Sequence, residues 1–217
     1  MKLLNLDHSP YATRVRIQLR KKNLPITIQA PDVALRTPEF SARYPLGKVP
    51  VLILDNGDSL GESTVIMDYL EDTQPGDTSL RPDSAWARAQ MQLLTRYADT
   101  HLGPGALFPV FKQLMSPGEK DMASLLPLLH AELAKGDRLL ATQPSLDQRA
   151  LHLGDIALVT TLAYVVLLAP VLGEADILGS YPHLQAWWQW VMSDSSVSQS
   201  IDELSEAFQA FSSQGKS

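Results

Sequence analysis

Ser9 is the residue of this chain best placed to hold an anion. Leu3, Leu4 and Leu6 form an apolar run before it, while Ala12, Val15 and Leu19 recur after it at helical spacing, so a strand gives way to a helix near Ser9. Serine at the cap and Pro10 in the first turn are residue types that start helices. The first turn of a helix has backbone N–H groups without intrahelical partners and carries the positive end of the dipole. Ser9 is then either a plain cap or a hydroxyl donor to a negatively charged group seated above the junction. A second opening of this kind is Gly61-Glu62-Ser63-Thr64, where the Ser63 N–H suits a carboxylate and where capping alone also accounts for the serine.

Residue types close off much other chemistry. The chain has no cysteine, which removes disulfides, cysteine metal sites and a cysteine nucleophile together. His8, His101, His130, His152 and His183 show no paired spacing, and no metalloprotease or calcium-loop pattern occurs, so no metal is expected. His8 adjoins Ser9, but neighbouring residues need not face each other. Trp187-Trp188-Gln189-Trp190 reads as helix packing rather than an aromatic ligand box. Arg14, Arg16, Arg20, Lys21 and Lys22 read as a solvated helix face, because the aromatic residues that interleave in nucleic-acid readers are missing.

The elements that must position these residues can be read in order. After the first helix come a strand at Ile26 to Gln29, a helical piece at Glu39 to Arg43 ended by Tyr44-Pro45-Leu46-Gly47, and a hairpin. The hairpin joins Val49 to Leu54 and Ser59-Leu60 through an Asn56-Gly57 turn. The helix opened by Gly61 to Thr64 sets Val65, Ile66, Tyr69 and Leu70 on one face. Gln74 to Pro82 is rich in turn residues and is the expected linker.

From Asp83 onward only helical periods remain. Trp86, Ala89, Leu93 and Tyr97 make a stripe, with breaks at Gly103-Pro104-Gly105 and Pro109. A helix capped by Ser116-Pro117-Gly118-Glu119 reaches about Leu140, with Pro127 as a kink or boundary. Asp155 to Ala169 is apolar on every side and is the expected central helix. Helices around Pro182 to Val191 and over Val197 to Phe211 follow, and Ser212 to Ser217 is expected to fray.

With 217 residues, 45% hydrophobic and 19% charged, the chain has the composition of an ordinary globular protein and length enough for one large or two small cores. A net charge of -6 disfavours nucleic acid and acidic membrane surfaces as partners. The apolar run Ile156 to Ala169 falls short of the roughly 20 residues of a spanning helix. No signal-peptide pattern opens the chain, so cytoplasmic residence is the default expectation.

With this order in hand, the sequence resembles the glutathione S-transferase superfamily over nearly its whole length. The resemblance rests on Ser9-Pro10-Tyr11 followed by Arg14-Val15-Arg16-Ile17, and on Gly47-Lys48-Val49-Pro50-Val51-Leu52. It continues with Gly61-Glu62-Ser63 followed by Ile66 and Tyr69-Leu70, and with Gly154-Asp155-Ile156-Ala157-Leu158. Ser-Pro-Tyr looks like the serine-type classes: theta, zeta, tau and many bacterial members. The resemblance implies an α/β thioredoxin-like N-terminal domain over 1–75, an all-α C-terminal domain over 83–217, and a homodimer.

It also implies roles. Glutathione would be the co-substrate, with Ser9 donating to its sulfur. A cis Val49-Pro50 bond would expose backbone to pair with the cysteinyl unit. Glu62 and Ser63 would receive the γ-glutamyl end, and Lys48 with Arg36 would face the glycyl carboxylate. On residue type alone, Pro50 can begin an ordinary strand, and Lys48 and Arg36 can be solvated charges. Tyr11, Tyr97, His101, Phe108 and Phe111 are candidates for the wall of a pocket for a small electrophile, or else core or dimer contacts. One departure stands out: His152 occupies the place where the family has Ser or Thr three residues before its Asp, so weaker initiation of that helix is expected.

The expected function is attack of the glutathione thiolate on a hydrophobic electrophile in detoxification, or a related isomerisation or reduction. The rival is a non-catalytic binding or regulatory protein of the same fold, acting through protein contacts.

Overall fold

Leu3 and Leu4 have almost no exposed surface, and their strand lies inside the sheet of a computed structural model that describes residues 1–74, 79–116 and 124–214. The chain divides into two compact units, Met1–Leu80 with Ser195–Ser217, and Arg81–Asp194.

The first unit contains β1 (Lys2–Leu4), α1 (Pro10–Lys21), β2 (Thr27–Gln29), α2 (Pro38–Arg43), β3 (Val51–Ile53), β4 (Ser59–Leu60) and α3 (Ser63–Thr73). The strands order as β2-β1-β3-β4. β1 and β2 are parallel, which requires a crossover, and α1 supplies it; β3 runs antiparallel to β1 and β4 antiparallel to β3. The register pairs Leu4 with Gln29 and with Val51, and Leu52 with Leu60. The C-terminal ends of β1, β2 and β4 and the N-terminal end of β3 therefore share one end of the sheet. The segments that meet this end carry Ser9, Arg36, Val49-Pro50 and Glu62-Ser63. Phe40 of α2 packs with Leu4 and Val51, and Val49 lies against this cluster.

Two expectations on these helices are corrected. Arg14 and Arg16 are not solvated: they are 0% and 3% exposed. On α3, Val65 is exposed and the buried apolar residues are Ile66, Met67 and Leu70, because the face turned to β3 and α1 is set by packing.

The second unit is helical: α4 (Ala85–Arg96), a π-helical stretch Tyr97–Leu107, α5 (Phe108–Met115), α6 (Leu126–Ala141), α7 (Leu153–Leu168) with a 3-10 turn Ala169–Leu172, and α8 (Pro182–Met192). The expected break at Gly103-Pro104-Gly105 is instead a widened continuation, an arrangement that tolerates Pro104 without an N–H to donate. Pro127 stands in the first turn of α6 and marks its start. On α4 the expected stripe is displaced: Trp86 is 73% and Leu93 50% exposed, whereas Met91, Leu94 and Thr95 are buried as α4 packs on α7. A side chain at Gly154 would strike the Met91 carbonyl, with a Cβ at 2.4 Å, so glycine is what allows α7 to approach α4 this closely.

α7 is buried on all sides from Leu153 to Val165, as its uniformly apolar sequence requires. With the 3-10 turn it gives a 20-residue stretch, Leu153–Leu172, of mean hydropathy 2.1, long and apolar enough to cross a membrane; its most apolar window is 72% buried within the protein. His152 caps α7 in full, contrary to expectation. Its Nδ1 accepts from the Asp155 N–H at 3.3 Å, and the Asp155 carboxylate accepts from the His152 N–H at 3.0 Å, so both halves of a capping box form. Asp155 also accepts from Arg149 at 2.6 and 2.8 Å and from Trp187 Nε1 at 2.8 Å.

The last helix, α9 (Ser195–Gln214), groups with the first unit rather than with a helical stretch over 83–217. Val197, Ile201, Leu204 and Phe208 recur on its buried face, and it packs on α1. Residues 75–78 of the expected linker, the cap at Pro117 to Glu119 and the tail from Gly215 lie outside the described residues.

Candidate functional site

Ser9 is the N-cap of α1, with extended backbone, and its Oγ accepts the Ala12 N–H at 3.2 Å. Accepting uses a lone pair and leaves the hydroxyl hydrogen for another partner, so capping and donation to an anion are compatible. The Ser9 N–H donates to the Leu6 carbonyl at 2.9 Å, and Thr13 Oγ1 donates to the Ser9 carbonyl at 2.9 Å. Arg16 Nη2 in turn donates to Thr13 Oγ1 at 2.9 Å. Burial pushes the Arg16 pKa below its ordinary value, while the carboxylates of Asp7 and Glu203 oppose that shift.

The Val49-Pro50 bond is cis, with Pro50 buried and Val49 half-buried. Glu62 caps α3 with φ 64 and ψ 116, an uncommon conformation for a residue other than glycine, and its side chain is exposed. Ser63 is buried, and its Oγ accepts from Arg14 Nη1 at 3.4 Å. The Arg14 guanidinium lies over the Tyr11 ring, 4.7 Å from its centre. Arg14 thus joins two candidate residues that the sequence left apart. Its packing role was hidden because its partner Ser63 lies 49 residues away. Lys48 and Arg36 are exposed, and Arg36 has a positive φ of 63.

Of the aromatic candidates, Tyr11 is half-buried in the first unit and the others belong to the second. Tyr97 is a packing residue: it is buried, its hydroxyl donates to the Glu132 carbonyl at 2.7 Å, and burial raises its phenol pKa above the ordinary range. His101 is exposed and stacks on Tyr97 at 6.3 Å. Phe108 is partly exposed, and Phe111 meets Tyr164 edge-on at 6.3 Å. His8, beside Ser9, stacks on Phe211 of α9 with ring centres 4.5 Å apart. Burial lowers the His8 pKa, and Asp7 opposes the shift. Among the described residues no group of three or more His, Asp or Glu side chains is arranged to hold a metal ion.

Comparison with known proteins agrees with this frame. A family model described as glutathione S-transferase, N-terminal domain, matches residues 3–78. Glutathione S-transferase U8 of Arabidopsis thaliana is 38% identical over 101 residues, which is 46% of this chain and 45% of that protein. Glutathione S-transferase U28 of the same plant is 26% identical over 212 residues, covering 95% of this chain and 91% of that protein. The chain spans about half the length of the first curated relatives it matches, 45% of one and 50% of the next. A solved structure, glutathione S-transferase from Methylobacillus flagellatus KT with GSH bound, is 29% identical, covers 92% of this chain and 98% of that one, and superposes with a TM-score of 0.72. Residues 3–78 thus match the glutathione S-transferase N-terminal domain, and over nearly its whole length the chain is similar to glutathione S-transferases in sequence and in fold.

Proposed function

We propose that the chain is a glutathione transferase in which Ser9 donates a hydrogen bond to the thiolate of bound glutathione. The observation that carries this reading is the Ser9 hydroxyl, which accepts from Ala12 and so keeps its hydrogen at the mouth of α1. An ordinary thiol has a pKa near ~8.5 and is mostly protonated at neutral pH. Lowering it by about two units needs about 2.7 kcal/mol of preferential thiolate stabilisation. A hydrogen bond to a charged group contributes roughly 1.5 to 3 kcal/mol. A helix N-terminus adds roughly 0.3 to 2 kcal/mol. The two together suffice, and Ser9 acts neither as a base nor as a nucleophile.

The remaining roles are those the resemblance implies, and the sheet register supports them by bringing their segments to one end of the sheet. The Val49 backbone pairs with the cysteinyl unit, and Ser63 receives the γ-glutamyl carboxylate, with the Arg14 charge behind it. Glu62 takes the ammonium, and Lys48 and Arg36 meet the glycyl carboxylate. The thiolate attacks a small hydrophobic electrophile, forming the S–C bond as a leaving group departs with its electron pair. Tyr11, in the same unit as Ser9, offers an aromatic surface for that substrate. The exposed Trp86 and Leu93 of α4 serve as the face for a second copy in a homodimer. A cytoplasmic detoxification role completes the reading.

Calorimetric titration with glutathione, joined to a conjugation assay with a test electrophile, checks it. Binding with turnover is expected; no detectable glutathione binding would leave the non-catalytic, protein-contact role instead.

A further inference from the structure

Arg16 has no assigned contact with glutathione, yet its guanidinium is the hub of the loop that carries Ser9. We propose that Arg16 is a positioning residue for Ser9, and that α9 takes part in this through Glu203; the inference rests on the reading of Ser9 as the sulfur donor.

Ser9, Thr13 and Arg16 stand at i, i+4 and i+7, on one side of α1, and helical side chains lean toward the N-terminus. Arg16 therefore reaches back along the helix to the loop after β1. Its Nη1 donates to Asn5 Oδ1 at 2.9 Å and to Asp7 Oδ1 at 3.3 Å. Its Nη2 donates to the Asp7 carbonyl at 3.2 Å and to Thr13 Oγ1 at 2.9 Å. The Thr13 hydroxyl passes the connection on by donating to the Ser9 carbonyl at 2.9 Å. Asn5 Nδ2 closes the cluster on Asp7 Oδ1 at 2.8 Å. A planar fork of donors spans these acceptors at once, which a single ammonium group does not.

α9 engages the same loop from two places. Arg16 Nε has no hydrogen-bond partner among the described residues and lies 4.0 Å from Glu203 Oε2. Glu203 is itself held through both oxygens by Arg20 Nη2, at 2.6 and 2.7 Å, and Arg20 Nη1 donates to Ser200 Oγ. Farther along α9, Phe211 stacks on His8, the residue immediately before Ser9. Contacts spaced this way hold both the hub of the loop and its last residue. The competing explanation, a buried arginine that only stabilises the unit, predicts lower folding stability with no change in the thiol pKa of bound glutathione.

A double-mutant cycle on the full chain separates the two. The readout is the thiol pKa of bound glutathione, taken from the pH dependence of kcat/KM and from the thiolate absorbance of the binary complex. Arg16→Met is expected to raise that pKa and to lower kcat about tenfold, within the loss that a small misplacement of a reacting group causes. KM for glutathione should change less. In the Ser9→Ala background the same substitution should add no further shift, because its effect passes through the Ser9 hydroxyl. Arg16→Lys should not restore the wild-type pKa, and Glu203→Gln should shift it in the same direction by less. If Arg16→Met does not fold, Arg16→Lys and Glu203→Gln complete the same cycle. Equal shifts in both backgrounds, or no shift where Ser9→Ala alone gives one, would overturn the positioning role and leave Ser9 as the donor. No shift for Ser9→Ala itself would overturn the Ser9 reading and this inference with it.

Discussion

Arg14 and Ser63 meet inside the first unit: Arg14 Nη1 donates to Ser63 Oγ at 3.4 Å, and neither residue has more than 3% of its surface exposed. The same guanidinium lies over the Tyr11 ring. A buried positive charge is thus placed behind the serine proposed to receive a carboxylate, where low dielectric strengthens its attraction for an anion.

Replacement of that charge should weaken glutathione binding more than turnover. Arg14→Gln is expected to raise KM for glutathione about tenfold, the equivalent of about 1.4 kcal/mol, with a smaller change in kcat. Steady-state kinetics with glutathione as the varied substrate measure this. Equal loss in both constants would place Arg14 in the chemical step.

Ser9→Ala should act in the opposite sense. Loss of the donor is expected to raise the thiol pKa of bound glutathione by about one to two units and to lower turnover at neutral pH. The loss of the cap should cost about 1 kcal/mol of stability, measured by urea unfolding. Unchanged kinetics would transfer the role to Tyr11 or to a backbone N–H.

The His8–Phe211 stack sets a pH dependence. Burial holds the His8 pKa below the ordinary value of about 6.5, so the unfolded chain binds the proton more readily than the folded one. Stability from this group is present above about pH 6.5 and is lost as pH falls from there through the lower folded pKa. His8→Phe should keep the stack and remove that loss. Thermal unfolding of both proteins between pH 7.5 and about 5 makes the comparison.

Asp155 should matter for stability alone. Burial by itself would raise its pKa, but hydrogen bonds from Arg149 and His152 outweigh burial and hold the carboxyl well below the usual carboxylate range. Its contribution is present above the ordinary carboxylate value of about 4 and is lost on acidification through the depressed folded value. Asp155→Asn strands the Arg149 charge and is expected to cost about 3 kcal/mol or more. His152→Ser, which retains a cap acceptor, should change stability by less than about 1 kcal/mol. Urea unfolding at pH 7 distinguishes the two.

Trp86 and Leu93 test the dimer. Changing either to Asp places a charge on the exposed apolar face of α4 without disturbing Met91 or Leu94 beneath it. Sedimentation velocity should show a wild-type dimer become a monomer. A wild-type monomer would refute the proposed role of this face.

Much of the frame was legible in the sequence because the signals are local. The change of period at Ser9, the Asn56-Gly57 turn and the apolar run after Asp155 each report energies set within a few residues, and each marks the element seen in the structure. The candidates Ser9 and Ser63 were visible for the same reason, because helix openings select their own residue types, whereas Pro50 entered only with the family resemblance. The errors fell where one helix meets another. Trp86 and Leu93 have the spacing of a core stripe, but α4 buries the neighbouring stripe because Gly154 lets α7 approach Met91. Likewise His152 was read as a poor cap from its residue type, whereas the imidazole reaches the Asp155 N–H as a hydroxyl would.

By itself, then, the sequence determined the order of elements and the family resemblance that its motifs carry. Only the tertiary structure decided what surrounds the candidate residues. Arg14 and Arg16 look like a solvated basic face until α3 brings Ser63 and α9 brings Glu203, whose partner Arg20 is 183 residues away, to the two sides of α1. The physical reason is that the free energy of a buried charge depends on partners distant in sequence, while spacing along a helix records only which residues share a face.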